Sequence, residues 1–234
     1  MQPGAVIRQA WDLYKAHWRH LIPIALVVYV LISLLALLLV VLLGWLGVVV
    51  GFLIAIAGIF WLQGALVVAV DDIRDGRADL SISDTLGRVR PRLNTLTLAG
   101  FLATLAIALG LLLLIVPGLY LLTIWLLIVP AIVLERHGVM SSFGRSRELV
   151  SGHGWNVFGV IVITVLILIG VNIVFGIVDE VIDNAWASLL IDIATQTLTA
   201  PFLALAWTVT YYELRSLKEE TAAPLALPAE QTSG

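Results

Sequence analysis

The chain contains six apolar stretches with the length and composition of membrane-crossing helices, and this feature limits what it can fold into more than any other. A helix needs about 20 apolar residues to cross the hydrocarbon core of a bilayer. The predicted spans are residues 21–43, 45–70, 96–116, 118–134, 157–178 and 194–213. Because lipid leaves no backbone polar group a water partner, these stretches must be helical. The sequence therefore predicts an all-α polytopic membrane protein with a single domain over residues 1–218.

The start of the sixth span is set by Asp192. A carboxylate at the centre of a membrane helix costs about 2.5 to 3.5 kcal/mol on insertion scales. Starting the span at Ala194 avoids this cost and still leaves roughly 19 residues before Glu213. We therefore expect Asp192 near the outer interface, with residues 186–193 lying partly along it. Residues 219–234 are small, Pro- and Ala-containing and without periodicity, which predicts a flexible cytoplasmic tail.

The basic residues orient the predicted spans. All 13 Lys and Arg residues lie before the first span, between the second and third, between the fourth and fifth, or after the sixth. The other three connections are a Gly44-Trp45 turn, a Pro117-Gly118 turn and a loop with Asp179, Glu180 and Asp183. By the positive-inside rule, both termini are cytoplasmic. We expect a multi-pass protein of the cytoplasmic (inner) membrane.

Composition excludes several classes of function. The residues are 61% hydrophobic and 12% charged, and a net charge of −3 provides no basic face for nucleic acid. The absence of Cys removes thiolate nucleophiles and Cys-based metal sites. The expected environment is a lipid bilayer, with no nucleic-acid partner.

Three amphipathic helices are predicted on the cytoplasmic side, over residues 5–20, 81–94 and 139–153. Ser81-x-x-Asp84 forms a potential cap for the second, and Pro91 interrupts it. Their apolar positions recur at steps of three and four residues: Ile7, Trp11, Tyr14, Trp18 and Leu21; Ile82, Leu86, Val89, Leu93 and Leu96; Val139, Phe143, Ser146, Val150, His153 and Val157. One interpretation is three repeats of an interfacial helix followed by a transmembrane hairpin. The other is that any helix next to a membrane surface becomes amphipathic.

Several short motifs along most of the chain carry a family resemblance. They are Pro117-Gly118-Leu119-Tyr120, Trp125, Pro130-Ala131-Ile132-Val133-Leu134-Glu135, Gly138, Ser142, Arg145-Ser146, Leu149-Val150, Gly152, Trp155, Ala200-Pro201 and Tyr211-Tyr212-Glu213-Leu214-Arg215. With these motifs the chain resembles the membrane domain of the glycerophosphoryl diester phosphodiesterase membrane-domain family. The resemblance implies a multi-helix membrane module. It does not imply phosphodiesterase activity, because the catalytic domain that gives the family its name does not occur in this sequence.

The titratable residues have no spacing that is diagnostic of catalysis. A hydrolase or transferase needs a nucleophile, a base and an orienting group together, or a metal with several ligands. Asp71, Asp72 and Asp75 follow the second span, where they either bind a divalent cation or form a solvated loop that caps the helix. Glu135 is expected to pair with Arg145 or Arg147. We therefore predict a protein that is not an enzyme and has no cofactor and no metal.

Four polar residues lie towards the outer halves of the last two spans. Asn172 is on the fifth, and Asp192, Gln196 and Thr199 follow at helical spacing near the sixth. Polar groups inside lipid are candidates for function, but hydrogen bonding that only holds two helices together is the alternative.

Prolines and small residues add two further candidates. Pro117, Pro130 and Pro201 are candidate helix breaks of the kind that transporters use to bind substrate. Gly47, Gly51, Ala55 and Gly58 favour close helix packing, within the chain or in a homo-oligomer.

Two functional classes remain, with an intramembrane enzyme of lipid metabolism third. In the first, the spans move or shelter a lipid-like substrate or an amphipathic peptide. In the second, the protein is a scaffold or assembly partner in the membrane. The two classes predict different surroundings for the outer-half polar residues. A scaffold should bury these groups and satisfy their hydrogen bonds, whereas a transporter should expose them.

Overall fold

The structure, a computed structural model, describes residues 1–74, 76, 80–182 and 184–222. These residues form nine α-helices and a short 3-10 turn, without a strand. The helices are α1 (Pro3–Leu43), α2 (Trp45–Arg74), α3 (Ile82–Val89), α4 (Leu93–Leu113), α5 (Ile115–Ile124), α6 (Ile128–Leu134), α7 (Val139–Val150), α8 (Gly154–Ile182) and α9 (Ala185–Ala222), and the 3-10 turn is Arg90–Arg92.

Six helical segments of the described chain are long and apolar enough to cross a membrane. They are Pro3–Leu43, Trp45–Arg74, Ile82–Leu113, Ile115–Leu134, Gly154–Ile182 and Trp186–Glu220. The predicted fold class is confirmed, and the protein is an all-α, multi-pass integral membrane protein.

The buried side chains lie at one end of every span. Apart from glycines and the amphipathic segments before the first and third spans, the buried residues of the spanning helices fall within 21–25, 62–73, 96–103, 123–132, 157–164 and 195–214. We call this the basic end, because all 13 Lys and Arg residues flank it. Residues 26–57, 104–122, 165–182 and 186–194 contain no buried side chain. We call these parts the open end, where the described helices share no common core.

The three predicted amphipathic helices are present, and each buries one face against a span. In α1 the buried residues are Val6 and Ala10, in α3 Thr85 and Val89, and in α7 Ser142, Ser146, Leu149 and Val150. The predicted apolar face of α1 is only partly covered by the protein, because Leu21 is buried whereas Trp11 and Trp18 are 50% and 46% exposed.

The first amphipathic helix is continuous with the first span, apart from a kink. His17 has non-helical angles (φ −125°, ψ 16°), and Pro23 follows six residues later, where its missing N–H weakens the helix. Before the kink, Val6 packs with Val209, Tyr14 donates a hydrogen bond to the Leu198 carbonyl (3.0 Å), and Trp11 meets Phe202 edge to face. The residue numbers rise along α1 as they fall along α9, so the two segments are antiparallel.

The second amphipathic helix packs antiparallel to the last turns of α2. Its predicted cap is confirmed, because the Ser81 hydroxyl accepts from the Asp84 amide at 3.1 Å. The Leu80 amide donates to Asp72 (3.2 Å), and Val89 lies over Gly64, where an added Cβ would come within 3.2 Å of it. The helix ends at Val89, short of its predicted end at residue 94, and Pro91, the predicted interruption, lies in the 3-10 turn that follows.

The turn of the second hairpin lies before the predicted one. The third span was expected to run to residue 116 and turn at Pro117-Gly118. Instead α4 ends at Leu113, the extended residue Leu114 makes the turn, and Pro117 lies in the first turn of α5. Proline is tolerated there because the first amides of a helix have no intrahelical acceptor. Pro117 is therefore not a helix break.

The fourth span, predicted as one helix over residues 118–134, is divided by a turn at residues 125–127. The Ser146 hydroxyl of α7 bridges this break: it accepts from the Leu127 amide (3.1 Å) and donates to the Ile124 carbonyl (2.7 Å). Pro130 follows in the first turn of α6. The broken span is therefore real, but a side chain of the same molecule occupies its free backbone groups.

The sixth span lies in α9, and this helix is longer than predicted at both ends. It begins at Ala185, so residues 186–193 belong to the same helix as the span. Pro201 lies inside α9 without ending it, so this candidate break is wrong. Residues 219–222, assigned to the tail, are helical, and residues 223–234 lie outside the described residues. The fifth span likewise extends beyond its predicted bounds of 157–178, over the whole of α8.

The predicted series of small residues on α2 packs against α1 of the same chain. An added Cβ at Gly47 would come within 2.0 Å of the Leu39 carbonyl oxygen, and one at Gly58 within 2.4 Å of Ile32. Both contacts belong to the α1–α2 hairpin. The series therefore explains how two helices of one hairpin approach each other at the open end.

We predict that Gly47→Ala destabilises the protein by about 1–3 kcal/mol, because the new methyl group overlaps the backbone of α1. Gly170→Ala is the matched control, because nothing lies within 4 Å of its added Cβ. Thermal unfolding in detergent, followed by circular dichroism, measures both. An unchanged melting temperature for Gly47→Ala would contradict the packing of this hairpin.

We also predict that Ser146→Ala destabilises the fold by about 1–3 kcal/mol, because two backbone groups at the break of the fourth span lose their partner. Ser141→Ala is the control on the same helix, since its exposed hydroxyl bonds only the Gly138 carbonyl. The same unfolding assay applies. Equal melting temperatures for the two variants would show that Ser146 does not hold the break.

Candidate functional site

Three consecutive residues near the end of α9 bind three different parts of the chain. The Tyr211 hydroxyl donates to Glu135, the Tyr212 hydroxyl donates to Asp71, and Glu213 lies 3.9 Å from the amino group of Met1. Side chains 100° apart around a helix point in different directions, so consecutive residues reach different neighbours. Together with their partners they form what we call the tyrosine cluster.

Glu135 is the most fully bonded member of the tyrosine cluster. Arg145 donates to both carboxylate oxygens, from Nε at 2.6 Å and from Nη2 at 3.0 Å. Tyr211 donates to Oε1 at 2.7 Å, and His137 Nε2 lies 3.0 Å from Oε2. The predicted pairing of Glu135 is confirmed, with Arg145 as the partner. Four contacts use the acceptor capacity of a carboxylate, so little remains for a substrate.

The electrostatics of this pair follow from its contacts. Burial raises the pKa of the Glu135 carboxyl, but hydrogen bonds from Arg145, Tyr211 and His137 outweigh that effect and hold the pKa below its ordinary value. The hydrogen bond to Glu135 in turn raises the pKa of Arg145. Both groups are therefore charged at neutral pH, which suits a structural ion pair better than a proton donor or acceptor.

The two acidic residues after the second span that the structure describes bind protein groups. Asp71 accepts from Tyr212, whose ring also lies under the Arg74 guanidinium at 3.7 Å from its centroid. Asp72 is 5% exposed and accepts from the Leu80 amide. Asp75 lies outside the described residues. Both carboxylates lie within α2 and bind protein groups, so they do not form the predicted solvated loop, and these contacts do not favour the cation-site interpretation either.

The N-terminal residue completes the packing at the basic end. The Met1 side chain is buried, and its carbonyl oxygen accepts from Asn156 Nδ2 at 2.6 Å. Met1 also packs against the core formed by the turn at residues 125–127, α7, α8 and α9. The tyrosine cluster thus connects the segments of α1, α2, α6, α7 and α9 at the basic end.

The sequence predicted the pairing of Glu135 in this cluster but not the part played by the two tyrosines. The pairing of Glu135 followed from opposite charges on adjoining segments that were predicted to lie on the same side of the membrane. Tyr211 and Tyr212 were not predicted as site residues, although two adjacent phenols at the end of a span, just before Arg215, are a usable signal. A buried phenol in lipid requires a hydrogen-bond acceptor, and the nearest acceptors are the carboxylates at the same end.

The side chains of the four predicted polar residues do not bond to one another in the described structure, although the Thr199 hydroxyl also lies 3.3 Å from the backbone carbonyl of Gln196 in the same helix. Asn172 is exposed, and its Nδ2 donates to the Leu168 carbonyl of its own helix at 2.8 Å. Thr199 is buried and donates to the Thr195 carbonyl at 2.8 Å. Asp192 and Gln196 are exposed. No described hydrogen bond joins α8 to α9 through these four residues, so interhelical bonding does not account for them.

The exposed and buried members of this group share one face of α9. Gln196 is one turn above Thr199 and Ala200, which are 8% and 1% exposed, and Asp192 is one turn further out. The face that carries Asp192 and Gln196 therefore points into the bundle at the level of Thr199. Above that level Gln196 and Asp192 are exposed on this face, whereas Thr195 and Thr197, on either side of Gln196, are 6% and 4% exposed.

The comparisons with known proteins add no relative. No family model, curated protein or solved structure matches the chain. The class of protein therefore rests on its six apolar helices.

We predict that the Glu135 contacts make stability fall at acid pH. The folded pKa lies below the unfolded value near 4.5, so the pairing stabilises the protein above that value and is lost as the pH falls through the folded pKa. Melting temperatures from about pH 6 to about pH 3 should fall more steeply for the wild type than for Glu135→Gln. Glu219→Gln, an exposed carboxylate paired with Arg215, is the control. Parallel curves for wild type and Glu135→Gln would refute this role.

Proposed function

We propose that the protein is a non-enzymatic membrane protein that shelters or moves a lipid-like or amphipathic substrate at the open end of its helix bundle. The observation that carries the proposal is the face of α9 that is buried at Thr199 and uncovered at Gln196 and Asp192. Polar groups on an inward face of a membrane helix require a partner, and these two have none within the described residues. A substrate with a polar group and an apolar body matches both the polar residues and the surrounding side chains.

The apolar surface of the open end supports the same proposal. The most apolar stretch of 18 residues in α1 contains no buried residue, although a helix inside a bundle normally buries one face. Leu31, Leu38, Val174 and Ile177 are between 52% and 62% exposed. The hairpins α1–α2 and α8–α9 therefore present apolar sides that another molecule can cover.

Topology and location belong to the proposal. With the basic end cytoplasmic, the open end lies in the outer half of the cytoplasmic membrane, and both termini lie inside. The similarity to the stand-alone membrane domains of the phosphodiesterase family stays part of the proposal too. The tyrosine cluster consists largely of the residues that carry that similarity, from Glu135 and Arg145 to Tyr211, Tyr212 and Glu213.

A scaffold is the second candidate, and one observation favours it. The polar groups of the tyrosine cluster bind within the chain, so the basic end forms a rigid unit that needs no substrate. Under this alternative the exposed sides of the open end are covered by another protein or a second copy of the chain. The two candidates differ in what occupies the open end.

We predict that a lipid or peptide copurifies with the protein and is lost from a variant with Asn172→Ala, Asp192→Ala and Gln196→Ala. Native mass spectrometry after gentle extraction measures it, with Glu180→Ala as a control that removes an exposed carboxylate elsewhere at the open end. Retention in the control and loss in the triple variant is the expected result. Bulk lipid alone, unchanged in the triple variant, would sink the proposed site, and a copurifying protein would favour the scaffold.

A further inference from the structure

Three arginines stand together where the third span begins. Arg88 lies in the last turn of α3, Arg90 and Arg92 form the 3-10 turn with Pro91, and α4 starts at the next residue, Leu93. Arg88 and Arg90 are exposed, and Arg92 is half-buried. Pro91 prevents a continuous helix here. The three arginines therefore lie within a five-residue segment at the turn between the two helices.

These arginines have no acidic partner among the described residues, unlike several other cations. Arg145 pairs with Glu135 and Glu148, Lys15 with Asp12, and Arg215 with Glu219. Asp84 is one turn before Arg88, but its carboxylate accepts from the Ser81 hydroxyl at 2.6 Å. Arg8, Arg136 and Arg147, which also lack an ion-pair partner in the described structure, are on separate segments. Three positive charges are therefore concentrated beside α4.

An apolar strip on α4 begins six residues after Arg92, a little under two helical turns. Leu98, Leu102, Leu105 and Leu109 are between 41% and 60% exposed and recur at steps of four, three and four residues, which puts them on one face. Trp61 of α2 borders the start of this helix, because its indole N–H donates to Thr97 Oγ1 at 2.7 Å and to the Leu93 carbonyl at 3.2 Å. Its ring is thereby fixed and remains 39% exposed.

We propose that this surface, consisting of Arg88, Arg90, Arg92, Trp61 and the leucine strip, binds an anionic phospholipid. The guanidinium groups are the donors that a phosphate accepts from most readily, and the strip accommodates an acyl chain below the headgroup. The fixed indole packs beside the glycerol region, where tryptophan is enriched in membrane proteins. The site is at the basic end and is independent of the substrate proposed for the open end.

The test compares phosphatidylglycerol with phosphatidylcholine, each titrated into the delipidated full chain in detergent and counted by native mass spectrometry. Each arginine near a membrane surface contributes about fivefold to the affinity for an anionic lipid. A variant with Arg88→Gln, Arg90→Gln and Arg92→Gln should therefore bind phosphatidylglycerol about a hundredfold more weakly. The corresponding Arg→Lys triple variant should retain most of the affinity, because the charge is preserved.

The matched control removes the same charge elsewhere, with Arg8→Gln, Arg136→Gln and Arg147→Gln, and should bind like the wild type. Unchanged binding by the first Gln variant would overturn the proposal. Equal loss in the control would also overturn it, because the charge would then act diffusely, and so would equal wild-type affinity for phosphatidylcholine. Size-exclusion profiles verify folding. If the triple variant misfolds, the single Arg90→Gln variant is measured instead: an affinity for phosphatidylglycerol about fivefold weaker supports the proposal, and an unchanged affinity overturns it.

Discussion

The carboxylate of Glu135 is the contact on which the packed half of this protein depends. It lies at the end of the broken fourth span, where a charge without partners would be costly beside lipid. Arg145 of α7 and Tyr211 of α9 both bind it, so one residue fixes an amphipathic helix and the last span against the fourth. Ser146, next to Arg145, then reaches the backbone at the break. The same short stretch of α7 therefore satisfies a charge and two orphan backbone groups.

Polar contacts of this kind explain why the helices converge at one end only. In lipid there is no hydrophobic force between helices, so association relies on close packing and hydrogen bonds. At the basic end, Asp71, Glu135 and Glu213 each face a group on another segment. At the open end, contacts such as Gly47 with Leu39 hold a hairpin together but do not join one hairpin to the next. The asymmetry of the bundle follows from where its polar pairs lie.

Much of the architecture was predictable because its signals are local. Apolar runs located the six spans, the Ser81–Asp84 cap marked the start of α3, and opposite charges gave the pairing of Glu135. The errors have physical causes as well. Pro117 and Pro201 were treated as breaks, although a proline in a first helical turn costs little and one within a long packed helix is held by its neighbours. Long-range partners such as Tyr212 and Asp71, 141 residues apart, have no local signal.

The apolar surface of the open end cannot by itself recognise one particular molecule. Its leucine, valine and isoleucine side chains are as apolar as lipid tails, so they distinguish no molecule from the surrounding bilayer. Selectivity there has to come from the polar residues of the uncovered face of α9, because only they offer an interaction that an acyl chain cannot replace. Thr199 satisfies its own hydroxyl through Thr195, which leaves the amide of Gln196 and the carboxylate of Asp192. A molecule recognised at this end must therefore present its polar group at the level of these two residues, at the edge of the packed core, where the buried residues of α9 begin with Thr195.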